Sequence, residues 1–286
     1  MSKWLLASIG MAAILNLPAA AHEPVSAEPI VIGESLTLTT HDAERRLNVV
    51  LPRGYEQGES TYPLILMLDG GLSQDFYLAL GVERWNQLWD RSQPAIFVGV
   101  ETVDRQRELL PTTADPNEIE RYPTAGENEQ FRTWLLEAVL PLLRKHYRDD
   151  GRVFLVGESA AGHFVAETWA KYPDAFDGYA ALSPSMQWND QQLSRDVVAV
   201  AGQRRPPFFL SLADEGGATE EGLLRFKETT GNETCFVDGR KLGVHHADAL
   251  HRLLPQALQF LVPTPADWLA EYGLTTGCEA NGDDGP

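Results

Sequence analysis

With 286 residues, 43% of them apolar and no repeat or low-complexity segment, the chain has enough material for a large core, which excludes a disordered tail or a simple linker. Its 41 acidic against 23 basic side chains give a formal charge of −18. That balance repels phosphate backbones and anionic lipid surfaces, and argues against nucleic-acid and membrane-surface partners.

Residues 1–21 read as a secretory signal peptide: Lys3 is the positive start, Trp4 to Leu17 an apolar stretch, and Ala19, Ala20 and Ala21 a small-residue cleavage site. The stretch is broken by Ser8, Gly10, Asn16 and Pro18 and is shorter than the ~20 residues a spanning helix needs. A periplasmic or secreted protein starting near His22 is expected. A polar leader over residues 22–34 then precedes one folded domain over residues 35–262, followed by an extension over residues 263–286; α/β domains routinely reach this length undivided.

Within the domain, residues 35–40 and 47–51 read as strands that could form an antiparallel edge. Residues 64–68 (Leu-Ile-Leu-Met-Leu) are an unbroken apolar run ending in Asp69-Gly70-Gly71, which suits a central strand buried on both faces. Residues 95–100, 153–156, 179–182 and 208–212 have the same character. Between them, Phe131, Trp134, Leu135, Ala138, Leu142 and Leu143 follow a helical period that Pro141 should bend, and further helices are expected at 76–90, 160–171, 220–230 and 249–262. This alternation predicts an α/β fold with a mainly parallel central sheet and helices on both faces. Residues 101–126 are polar, hold three prolines and lack a period; they read as a loop leaving the carboxyl end of the 95–100 strand, the end where such sheets bind ligands.

Chemistry concentrates at Gly157-Glu158-Ser159-Ala160-Ala161-Gly162, between an apolar strand and a helix. A nucleophilic serine needs such a setting: a sharp strand-to-helix corner with small neighbours, and a helix N-terminus that favours developing negative charge. Ser159 is the candidate nucleophile, although position 161 is Ala where the usual pattern has Gly. Around such an elbow the chain order is Ser, acid, His. His246, in a loop between a strand at 234–240 and the last helix, is the candidate base; spacing alone does not separate it from His245, while His251 reads as helix surface and His163 as structural. The acid comes from the loop after 208–212, where Glu215 is preferred and Asp214 is the alternative. Backbone N–H groups of Ala160, Gly70 and Gly71 are candidates for an oxyanion hole. Cys235 and Cys278 are the only cysteines, and in an exported protein they are expected to form a disulfide that ties the extension to the last strand.

Several segments carry a family resemblance: Tyr62 to Gly70, Asp104 to Thr112, Val139-Leu140-Pro141 ahead of Tyr147-Arg148, the elbow, Tyr172 to Phe176, and Leu182-Ser183-Pro184-Ser185. In order and spacing they resemble the esterase family of α/β-hydrolases that includes enterochelin and salmochelin esterases, S-formylglutathione hydrolase and the mycolyltransferases. The resemblance spans residues 36–262 and implies an α/β-hydrolase fold, acyl transfer through an acyl-enzyme on Ser159, no metal or organic cofactor, a small-molecule ester as substrate, and Arg105 and Arg107 as substrate contacts. Its siderophore-esterase branch matches best; a carbohydrate or aryl esterase, an acyltransferase, or an inactive hydrolase-fold binding protein are the alternatives. In that family the acid usually falls at the position of Gly216, and counting back from the closing helix favours His246 over His245.

Overall fold

The computed structural model describes residues 26–39, 44–197, 205–231 and 234–278. The expected signal peptide lies outside the described residues. Residues 26–32, at the end of the expected leader, carry no helix or strand, and the chain from Gly33 onward forms one compact unit.

That unit is built on eight strands: β1 (Glu34–Thr39), β2 (Glu44–Val50), β3 (Tyr62–Leu68), β4 (Ile96–Val100), β5 (Asp149–Glu158), β6 (Gly178–Leu182), β7 (Phe208–Leu212) and β8 (Thr234–Asp238). They lie in the order β1-β2-β4-β3-β5-β6-β7-β8. β1 and β2 form the expected antiparallel edge, and every pairing from β4 through β8 is parallel. The helices are α1 (Phe76–Leu88), α2 (Arg105–Leu109), α3 (Pro116–Arg121), α4 (Asn128–Trp134), α5 (Leu140–His146), α6 (Ala160–Lys171), α7 (Trp188–Asp196), α8 (Gly217–Thr230) and α9 (Ala249–Leu261). This is the mainly parallel α/β sheet that the alternation predicted, in the α/β-hydrolase architecture that the resemblance implied.

An apolar core lies on each face of the sheet because the middle of the central strands is apolar in runs. In β3, Leu64, Leu66 and Leu68 turn toward one core with α4, α5, α6 and α8, while Ile65 and Met67 turn toward a second with α1 and α9. Pro141 does not end its helix. A π-helical turn over Leu135–Val139 joins α4 to α5, with the proline in the first turn of α5, where its missing N–H matters least.

The segment after β4 is more ordered than its sequence suggests. Asp104 caps α2 by accepting from the Arg107 N–H at 3.3 Å, and Asp115 caps α3 by accepting from the Asn117 N–H at 2.7 Å. Caps, rather than an apolar period, start these short helices, so periodicity missed them. A buried ion pair between Arg45 of β2 and Glu108, 2.8 Å apart, pins α2 to the sheet, and Glu108 also accepts from the Val103 N–H at 3.1 Å. The loop that leaves the carboxyl end of β4 is therefore anchored.

Cys235 of β8 and Cys278 are disulfide-bonded across 43 residues of sequence. Loop-closure entropy for that span is worth about 4 kcal/mol. Replacing both cysteines by serine is expected to lower the urea midpoint of the folded domain accordingly, without changing the sheet. An unchanged midpoint would show that the extension contributes nothing to stability.

Candidate active site

The site forms where β5 runs into α6. Ser159 stands between them with φ 60° and ψ −118°, a conformation costly for a side-chain-bearing residue. The surroundings impose it: the Ser159 N–H donates to the Leu182 carbonyl at 3.0 Å, and the Ser159 carbonyl accepts from the N–H groups of His163 (2.9 Å) and Ser185 (3.0 Å). Room for the turn comes from two glycines. A Cβ on Gly157 would lie 2.8 Å from the Cβ of Ala161, and one on Gly162 would lie 3.0 Å from the Leu182 carbonyl oxygen. Ala161 fits because Gly157 beneath it is bare, so this departure from the usual pattern leaves the corner intact.

Glu215 and His246 come to Ser159 from the carboxyl ends of β7 and β8. His246 Nε2 lies 3.2 Å from Ser159 Oγ, and its Nδ1 is hydrogen-bonded to Glu215 Oε1. A carboxylate at Nδ1 makes that nitrogen the N–H donor and leaves Nε2 as an acceptor facing the serine hydroxyl. Ser183 Oγ–H donates to the same Glu215 oxygen and fixes the carboxylate. The Glu215 hydrogen bond, helped by the Glu158 charge, raises the His246 pKa above its ordinary value against the opposing effect of burial.

The alternatives diverge from this cluster. His245 is extended at φ −98° and ψ 161°, so its ring points away from that of its neighbour, and its Nδ1 lies 3.5 Å from Asp214 Oδ2 with both side chains more than half exposed. Adjacent histidines thus meet adjacent acids in two separate pairs. Gly216, with φ +66°, turns the chain into α8 and presents no side chain, and the candidate acid Glu215 stands one residue before the position of the family pattern. His251 is exposed on α9, and His163 is buried in α6 with Nδ1 2.9 Å from the Ser185 carbonyl oxygen.

Two of the three expected oxyanion donors are engaged in hydrogen bonds within the protein. The Gly70 N–H donates to the Val100 carbonyl at 2.8 Å, so it is spent in the sheet; a Cβ on Gly70 would lie 2.3 Å from Gly99 Cα, and its glycine character serves that backbone contact. The Gly71 N–H donates to Gln74 Oε1 at 2.8 Å and is available only if that side chain withdraws. Ala160, at the first position of α6, keeps an N–H that has no partner within the helix.

Arg105 reaches the elbow. Its Nε is 2.7 Å from Asp69 Oδ2 and its Nη2 donates to the Glu158 carbonyl at 3.4 Å, while Thr102 Oγ1 donates to the other Asp69 oxygen at 2.5 Å. Arg107 pairs instead with Glu127 at 3.5 Å. Two residues beside the serine were not singled out by sequence: Ser185, whose Oγ lies 3.4 Å from Ser159 Oγ, and Glu158, whose Oε1 lies 3.4 Å from His246 Nε2. Glu158 is visible in the motif itself, but only the closing of β8 onto β7 puts a histidine beside it.

The family model described as "Putative esterase" matches residues 39–211, more than half of the chain. The chain belongs to this family. The matched region holds Ser159, Arg105 and Glu158 and stops short of Glu215 and His246. Among curated relatives, the ferri-bacillibactin esterase BesA of Bacillus subtilis (strain 168) is 34% identical over 109 residues. That match spans 34% of this chain and 38% of the relative's length. Among solved structures, the BES protein from Bacillus cereus superposes with a TM-score of 0.66 at 20% identity, covering 83% of this family member and 99% of that chain. The siderophore hydrolase EstA from Aspergillus nidulans gives 0.65 at 19% identity, covering 84% and 97%. At these identities the two structures speak to the fold, which they share over nearly their whole length.

Proposed function

We propose that this family member is an exported serine esterase that cleaves a carboxylic ester through an acyl-enzyme, with a siderophore-type ester as substrate. The single observation that carries the chemistry is the hydrogen-bonded line Ser159, His246, Glu215 on a strained elbow. Ser159 Oγ attacks the ester carbonyl while His246 Nε2 takes its proton; the tetrahedral intermediate collapses, the C–O bond breaks, and the alcohol leaves with that proton. Water then attacks the acyl-enzyme, His246 again takes the proton, and Ser159 leaves with it as the acid is released. Glu215 holds the imidazole tautomer and balances the imidazolium charge in both halves. The Ala160 N–H, at the positive end of α6, supports the oxyanion.

Export is supported by the signal-like residues 1–21 and by the Cys235–Cys278 disulfide, a bond that persists in oxidising compartments. The siderophore assignment follows the names of the relatives and the segment around Arg105. Its test is a comparison of kcat/KM for a trilactone siderophore, a short aryl ester and an acetylated sugar. The trilactone is expected to lead by about 100-fold, the scale of roughly 3 kcal/mol of selective transition-state binding. An aryl or sugar ester in first place would retain the esterase and overturn the siderophore assignment.

A further inference from the structure

Resting on the Ser159–His246 reading above, we propose that Glu158 is a positioning residue whose carboxylate holds the His246 imidazolium at Nε2 and so sets the pH at which Ser159 gains its base. The serine's neighbour in sequence is here its neighbour in chemistry. Glu158 ends β5 with its side chain only 14% exposed, and Oε1 stands 3.4 Å from the ring nitrogen that Ser159 Oγ also approaches. His246 therefore has a carboxylate at each nitrogen, Glu215 at Nδ1 and Glu158 at Nε2.

The two carboxylates do different work. With Glu215 at Nδ1, the neutral ring keeps an acceptor for the serine proton. Glu158 gains only from the protonated ring, because neutral Nε2 has no hydrogen to offer it. The imidazolium arises in both half-reactions, so the ionised carboxylate at this distance stabilises it at the moment each transition state needs it. The same charge stabilises imidazolium in the resting protein, which withdraws the base as the pH falls.

The surrounding charges make this a tuned pair. Around Glu158 lie His246 from the loop after β8, Arg105 of α2, Asp75 at the start of α1 and Glu215 after β7; around His246 lie Glu215, Glu158 and Arg105. Burial, reinforced by Asp75 and Glu215 and opposed by His246 and Arg105, pushes the Glu158 carboxyl up to about 7. Glu158 thus titrates near neutral pH, and its neighbour His246 is held above its ordinary value, first by the Glu215 hydrogen bond and then by the Glu158 charge, so the two titrations are linked.

The test is the pH profile of kcat/KM on p-nitrophenyl acetate for wild type, Glu158→Gln and Glu158→Asp, with fluorophosphonate labelling of Ser159 in each. In Glu158→Gln the rising acid limb is expected to move down by about one pH unit, because the base no longer has a charge holding its proton. The plateau is expected to fall about tenfold, because the transition state loses the same charge. Glu158→Asp, one methylene shorter, is expected to give a limb between the two. A purely structural role would lower rates and leave the limb in place. A wild type that labels while the Glu158→Gln limb stays put or moves up, or a Glu158→Asp limb at or below that of Glu158→Gln, overturns this inference alone. Absence of labelling in the wild type would instead remove the serine-nucleophile reading on which it rests.

Discussion

Ser159→Ala is expected to lose hydrolysis of every ester tested by about 10⁴-fold or more, together with all fluorophosphonate labelling, while its thermal unfolding stays close to wild type. Both expectations follow from the elbow. The hydroxyl is the group His246 Nε2 addresses at 3.2 Å. The turn itself is held by backbone hydrogen bonds through the Ser159 N–H and carbonyl, which alanine retains. An alanine relieves none of the φ 60° strain and adds none. If the wild-type protein fails to label, the chain is a hydrolase fold used for binding.

The second large effect separates adjacent residues. His246→Ala is expected to cost about as much as loss of the serine, since the two act as one unit, whereas His245→Ala is expected to stay within about threefold of wild type. Glu215→Gln should fall by about 10⁴-fold, because an amide at Nδ1 no longer selects the productive tautomer, while Asp214→Asn leaves the rate nearly unchanged. The contrast is sharp because each histidine has its own acid: His246 with Glu215 beside Ser159, and His245 with Asp214 in water. Steady-state kcat/KM on one aryl ester for the four variants is sufficient. Equal losses at His245 and His246 would mean that the loop between β8 and α9 reorganises on binding substrate.

Much of this was legible in the chain before any coordinates. Apolar runs such as residues 64–68 and 208–212 can satisfy their surroundings only as strands buried on both faces, so the parallel sheet follows from the pattern. Ser159 was legible for a local reason: small residues, a preceding strand and a following helix are contiguous in sequence, as the corner requires. The disulfide partners were legible by count, there being two cysteines.

Contacts between distant segments were decided only by the tertiary structure. Asp214 against Glu215 and His245 against His246 are one-residue choices; beyond the ends of β7 and β8 a parallel bridge sets Asp214 beside His245, and the next residue on each side, Glu215 and His246, meets at Ser159. Gly70 looked like an oxyanion donor by type, yet its N–H is consumed by Val100, a partner 30 residues away that no local pattern discloses. Glu158 stood in the motif from the start, one residue before the nucleophile. Its buried carboxyl acquires significance only when the loop after β8 lays the His246 ring against it, because a charge is judged by what surrounds it and those surroundings come from four other segments of the chain.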